Sequence, residues 1–178
     1  MVKRALLTIV ILALASPAAR AGNFGLNVAY WDTDDAEDDV GLGGRVAFDV
    51  GEYVDFQVRG AFFDDLEVTT PEGTVKLEAF PLDLGLAYGF LPDGPVNPYL
   101  GAGASYHFFS PRSGRVKEEA GWFAVAGVEA ALEERWGIFA ELLFRDVKAT
   151  HEDTDPPTST TDLDLGGLAA NVGFLLSW

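Results

Sequence analysis

Apolar side chains fall at every second position through eight stretches of this chain, the period of a strand with one apolar face. Val40 to Val50 is the clearest: Val40, Leu42, Gly44, Val46, Phe48 and Val50 alternate with Gly41, Gly43, Arg45, Ala47 and Asp49. Phe24 to Trp31 precedes it, with Phe24, Leu26, Val28 and Tyr30 on one face. From Val54 the residues Val54, Phe56, Val58 and Phe62 oppose Asp55, Gln57 and Arg59. Towards Phe90, Phe80, Leu82, Leu84, Leu86 and Tyr88 oppose Asp83, Gly85, Ala87 and Gly89. In Tyr99 to Phe108, Leu100, Ala102, Ala104, Tyr106 and Phe108 oppose Gly101, Gly103, Ser105 and His107. Gly121 to Leu132 carries Trp122, Ala124, Ala126, Val128 and Ala130 on one face and Glu129 on the other. Trp136 to Val147 sets Ile138, Ala140, Leu142 and Phe144 against Glu141 and Arg145. The last segment, Leu163 to Trp178, ends on Ala170, Val172, Phe174, Leu176 and Trp178 in steps of two.

Each apolar stretch is about the 9–11 residues that cross a bilayer as a tilted strand. The predicted fold is therefore all-β: an eight-stranded antiparallel up-and-down transmembrane barrel. The connections alternate in length, as such a barrel requires. Asp32–Asp39, Asp64–Gly73, Ser110–Ala120 and Lys148–Asp162 are long and polar, whereas Gly51–Tyr53, Leu91–Pro98 and Glu133–Arg135 are shorter. Leu66, Val68 and Thr70, then Pro71-Glu72-Gly73, then Val75 and Leu77 predict that strands three and four continue as one protruding hairpin. The change of outward parity from Val75 and Leu77 to Phe80 and Leu82 predicts a bulge near Ala79 to Pro81.

Aromatic residues sort towards strand ends. Tyr30, Trp31, Tyr106 and Trp122 are expected in a girdle on the long-loop side. Tyr53, Tyr88, Tyr99, Trp136 and Trp178 are expected in a second one on the short-turn side.

The first 21 residues read differently. Lys3 and Arg4 precede the apolar run Ala5 to Ala15, and Ala19-Arg20-Ala21 has cleavage-site spacing, so residues 1–21 are expected to be a signal peptide and 22–178 the barrel domain. The run is shorter than the roughly 20 apolar residues of a spanning helix. Removing three basic residues and no acid takes the formal charge from −16 to −19. Such acidity argues against a nucleic-acid partner, which needs a basic footprint. Cysteine is absent, so neither a disulfide framework nor a thiolate metal site is expected, and no cofactor is.

The apolar strand ending at Trp178 resembles the terminal signature of bacterial outer-membrane barrels. PLDLGLAYGF and NPYLGAGASYHFF, joined by a Pro-rich turn, resemble the central hairpin of OmpW-like, OmpX-like and opacity-type proteins and of the OmpA transmembrane domain. The resemblance implies export to the outer membrane, with both mature ends periplasmic. It implies surroundings of lipid and lipopolysaccharide, and assembly machinery that reads Val172, Phe174, Leu176 and Trp178.

An eight-stranded barrel has an interior just wide enough for side chains to fill. The inward charges Arg45, Asp49, Asp55, Arg59, Asp83, Glu129, Glu141 and Arg145 are therefore expected to pair into a lumenal plug, since unpaired burial is costly. Resemblance to OmpA leaves a gated pore as the alternative. Acidic clusters at Asp32-Thr33-Asp34-Asp35 with Glu37-Asp38-Asp39, and at His151-Glu152-Asp153 with Asp155, read as solvated loops without a calcium-loop glycine. Divalent bridging to lipopolysaccharide phosphates, or direct contact from Arg112, Arg115 and Lys117, stays open as the alternative.

The lipid A deacylase and palmitoyltransferase barrels are similar in size, but the deacylase order His-x-Ser is reversed here in Ser105-Tyr106-His107. His151 lies near Ser159 without a third partner, so the chain is not expected to be an enzyme. The expected role is structural or surface-interacting, with an extracellular protein partner recruited along the hairpin edge. The alternative is a narrow OmpW-like channel for small, apolar molecules.

Overall fold

The computed structural model describes residues 22–33, 37–70, 73–111, 115–116, 119–152, 160–164 and 166–178. The proposed leader and its cleavage site lie outside them.

Among the described residues eleven strands form in chain order: β1 (Gly22–Thr33), β2 (Asp39–Asp49), β3 (Val54–Thr70), β4 (Gly73–Gly89), β5 (Val96–Pro111), β6 (Arg115–Val116), β7 (Glu119–Ala131), β8 (Trp136–Asp146), β9 (Lys148–Glu152), β10 (Thr160–Asp164) and β11 (Gly167–Ser177). Eight of them close a barrel in the order β1-β11-β8-β7-β5-β4-β3-β2, all neighbours antiparallel. Short connections at one end join β2 to β3, β4 to β5 and β7 to β8. The ring shuts where β1 pairs with β11, from Asn23 opposite Ser177 to Thr33 opposite Gly167.

The alternation has the expected sense. Leu26, Val28, Leu42, Leu86, Leu100, Leu142, Val172 and Phe174 are all more than half exposed, as residues solvated by lipid must be. Their neighbours in sequence, Asn27, Ala29, Ala87, Tyr99, Glu141, Leu143 and Asn171, are buried inside the ring. Val46 is an exception on the outer face, buried between its register partners Phe24 and Val58.

Small residues let the large ones fit inside. Gly25 and Gly173 both face the Phe139 ring, where an added Cβ would lie 2.9 and 2.7 Å from Phe139 Cε1. Gly167 has φ of +134°, which a residue with a Cβ adopts only under strain. That turn separates β10 from β11. The eighth segment expected from Leu163 is thus two strands, and Leu163 and Asp164 belong to a different sheet.

β3, β4 and β5 run 16–17 residues, against 11 for β2, β8 and β11. At about 3.3 Å per residue and a tilt near 40°, 17 residues rise about 40 Å, well beyond an apolar band about 25 Å tall. The β3–β4 hairpin therefore stands clear of the membrane. Its register shifts between Phe63–Ala79 and Leu66–Leu77, so Asp64 and Asp65 together oppose Glu78. The bulge is in β3, not at Ala79–Pro81 in β4 as the sequence suggested. Pro81 keeps register with His107. The extra residue turns both Phe63 and Leu66 inward despite their opposite parity.

Beyond the long-loop rim, β10, β9 and β6 form a separate three-stranded sheet. Glu37 N–H donates to the Glu67 carbonyl at 2.8 Å, and Asp65 N–H to Asp39 Oδ2 at 3.2 Å, tying the first loop to the tall hairpin.

A closed sheet of this kind resists unfolding in mild detergent. Unheated protein is expected to migrate faster than boiled protein on a gel. Leu142→Arg, at mid-height on the lipid face, is expected to destabilise the fold by about 2–4 kcal/mol, read by urea titration in lipid vesicles.

Candidate functional site

The interior is layered. At its waist Glu141 of β8 collects four donors from four other strands. Arg45 Nη1 of β2 donates to Oε1 at 2.7 Å, Arg59 Nε of β3 at 3.2 Å and Tyr99 OH of β5 at 2.5 Å; Asn171 Nδ2 of β11 donates to Oε2 at 3.1 Å. Arg45 also donates to Tyr99 OH at 2.7 Å and, through Nη2, to Glu129 of β7. Arg59 Nη2 donates to Gln57. The guanidinium planes lie on aromatic faces, Arg45 4.3 Å from the Phe139 centroid and Arg59 5.4 Å from that of Phe123. Two arginines against Glu141 and a one-fifth-exposed Glu129 leave the waist with its charges matched.

A second polar layer lies nearer the long loops. Arg145 of β8 pairs with Asp83 of β4, Nη2 to Oδ2 at 2.7 Å. Ser105 Oγ donates to Asp83 Oδ1 at 2.5 Å and lies 2.7 Å from His107 Nε2. Above these groups the filling turns apolar: Trp31, Phe63, Leu66, Phe109 and Val147 are all buried, while Leu143 lies between the two polar layers. Trp31 packs on Phe63 with centroids 5.3 Å apart.

Six of the eight charges expected in the lumen therefore meet in two networks, Arg45–Glu129–Glu141–Arg59 and Arg145–Asp83. Asp49 and Asp55 do not join them. They stand opposite one another at the short-turn end, where Asp49 is exposed and Asp55 half-buried, and among the described residues neither is in an ion pair.

Two girdle assignments are corrected. Trp31 is fully buried within the lumen, and Tyr99 is buried with its hydroxyl in the waist network. Both follow the parity of their strands, since each adjoins an outward residue, Tyr30 or Leu100. Their residue type suggested the headgroup level; their position does not allow it. Tyr30, Tyr53, Tyr88, Tyr106, Trp122, Trp136 and Trp178 remain exposed on the outside. Trp122 Nε1 donates to Asp146 Oδ2 at 3.0 Å. Val172, Phe174, Leu176 and Trp178 also point outward.

The sequence reading also missed that Phe63, Phe123, Phe139 and Leu143 fill the lumen, although parity puts Phe63 on the face of Arg59, Phe123 on that of Glu129, and Phe139 and Leu143 on that of Glu141 and Arg145. Ser105, His107 and Asp83 do not form a nucleophile–base–acid relay. The serine sits between the other two and gives its proton to the carboxylate, and all three are buried. Asp34, Asp35, Arg112, Lys117, Asp153, Asp155 and Ser159 lie outside the described residues, as do the side chains of Arg115, His151 and Glu152. Among the described residues no group of three or more His, Cys, Asp or Glu is placed to hold a metal.

Comparison with known proteins fits this layout. The family model described as outer membrane protein beta-barrel domain matches residues 5–174. The outer membrane protein OprG of Pseudomonas aeruginosa superposes with a TM-score of 0.75 at 17% identity, covering 88% of this chain and 96% of that one. AlkL, an outer membrane protein solved in lipid bilayers, gives 0.65 at 13% identity over 92% and 93%. Neisserial surface protein A gives 0.61 at 15% identity over 88% and 95%. No curated protein matches by sequence.

Removing the Glu141 carboxylate strands two buried arginines. Glu141→Leu is expected to cost about 3–5 kcal/mol in vesicle folding titrations, and Glu141→Gln less, because an acceptor oxygen remains. In the double variant with Arg45→Met, the loss is expected to be smaller than the two single losses combined.

Proposed function

The chain belongs to the outer membrane protein beta-barrel domain family, which places it in the bacterial outer membrane, and on that premise we propose a non-enzymatic role that is structural or surface-interacting. One observation carries this reading: the lumen is filled from waist to rim while the outer strands are extended. Arg45, Trp31, Phe63, Phe123, Leu143 and His107 rank among the largest fully buried side chains, and together they occupy the axis along which solute would pass. The length lies instead in β3, β4 and β5, which rise past the membrane beside the β10-β9-β6 sheet.

Beyond Phe62, the last β2 partner of β3 among the described residues, the strand runs on paired with β4 and meets the first loop at Asp65 and Glu67. In this reading the tall β3–β4 hairpin is the part that recruits an extracellular protein partner, by strand addition. On the lipid side, Val172, Phe174, Leu176 and Trp178 are the face we assign to recognition by the barrel-assembly machinery. Residues 1–21 supply the export signal in this reading.

A narrow channel for small apolar molecules is the second reading. The apolar upper lumen favours it, because Trp31, Phe63, Leu66 and Phe109 would solvate such a molecule better than water would.

Planar-bilayer recordings separate the two. A plugged barrel is expected to be electrically silent and to stay so with hydrocarbon solutes. Discrete openings altered by Glu141→Gln would overturn the structural reading. Shortening the β3–β4 hairpin beyond Asp64 is expected to keep heat-modifiable migration and to reduce adherence of cells displaying the barrel; unchanged adherence argues against the surface role. Mass spectrometry of lipid A is expected to give the same profile with wild-type barrel and with His107→Ala. A profile that depends on His107 would make the protein an enzyme.

A further inference from the structure

Three buried polar atoms in the upper lumen have no hydrogen-bond partner among the described residues: Trp31 Nε1, His107 Nδ1 and Arg145 Nη1. They come from β1, β5 and β8 and belong to one cluster. The Trp31 and His107 ring centroids are 5.5 Å apart, and Arg145 Cζ lies 5.5 Å from the Trp31 ring. None of the three residues is more than 3% exposed. Buried polar groups in native proteins nearly always find a partner, so three unmatched atoms in one place point to a shared one.

The surrounding hydrogen bonds fix what each atom offers. An indole N–H and a guanidinium N–H can only donate. Ser105 gives its proton to Asp83, so its oxygen must receive the Nε2–H of His107. A neutral imidazole that donates through Nε2 carries a lone pair on Nδ1. The Asp83 charge is already matched by Arg145, so a neutral imidazole leaves the cluster balanced. The unmatched atoms are therefore two donor nitrogens, Arg145 Nη1 carrying two hydrogens, and one acceptor, and each needs at least one bond. A hydroxyl oxygen answers that set, since it accepts two hydrogen bonds and donates one.

We infer that Trp31, His107 and Arg145 form a binding site for a hydroxyl oxygen inside the barrel, supplied by an internal water or by the head of a small alcohol. Trp31 Nε1 and Arg145 Nη1 donate to the oxygen, and His107 Nδ1 accepts its proton. Phe63, tilted against Trp31, and Phe109, stacked on His107, offer an alkyl tail apolar surroundings. The site is independent of whether the barrel conducts.

The test uses the full barrel in detergent micelles with 15N-labelled tryptophan and histidine. The Trp31 indole resonance, one of four, is identified by its contacts to Phe63. It is expected to show a cross-peak to water, and His107 Nδ1 the nitrogen shift of an unprotonated acceptor. Titration with 1-butanol distinguishes the sources. If the site takes the alcohol, the Trp31 signal moves saturably and loses its water cross-peak, while Trp122, Trp136 and Trp178 stay in place. If it takes water alone, the cross-peak persists through the titration. His107→Phe is expected to abolish the cross-peak while the barrel still migrates as folded. The inference falls if wild-type Trp31 shows neither a water cross-peak nor a response to butanol, or if chloride alone moves its resonance.

Discussion

In lipid, a backbone N–H or C=O that is not paired within the protein is paired with nothing. That constraint governs this molecule. It forces the sheet to close, and closing it divides every strand into a face for lipid and a face for the interior. Leu142 and Glu141 are neighbours in sequence and lie in two different solvents. The outer face then contributes little that is specific, because lipid tails are as apolar as leucine. Specific packing has to come from inside.

The interior meets this demand with two materials. At the waist, Glu141 satisfies two arginines, a tyrosine and an asparagine, so that charges taken from water are matched by charge and hydrogen bonds together. Nearer the loops, aromatic rings fill the space, with Arg145 and Asp83 between the two regions. Glycines such as Gly25 and Gly173 sit where rings need room, so the wall is thin opposite the bulkiest contents. The result is a barrel lined inside by packed side chains, with three strands extended past the rest.

Much of this was legible in the chain because period-two patterning ties each residue to one of two faces. The number of barrel strands, the lipid face of Leu26, Leu42, Leu142 and Phe174, and the inward side of Arg45 and Glu141 all follow from it; which arginine meets which carboxylate does not. The errors arose where residue type was weighed above position. Trp31 and Tyr99 were assigned to the headgroup level because such rings favour it, although their parity sends them inward. Asp49 and Asp55 share the inward parity but lie near the open end, and distance along the axis cannot be read from alternation. The bulge was assigned to the strand with the proline, whereas Asp64 and Asp65 carry the extra residue. An insertion in β3 moves the parity of β3 alone, so the sequence of β4 carries no trace of it.

The salt bridge from Arg45 to Glu141 also bears on how long the barrel survives once made. The two residues are 96 positions apart, and between their strands lies the seam where β1 meets β11. Closing that seam fixes the separation of β2 and β8, and we expect the bond between them to be completed in the final step of assembly. Interactions absent until that step slow the reverse reaction more than they hasten the forward one. Glu141 thus works as a latch across the seam, and its main effect is on the lifetime of the finished barrel.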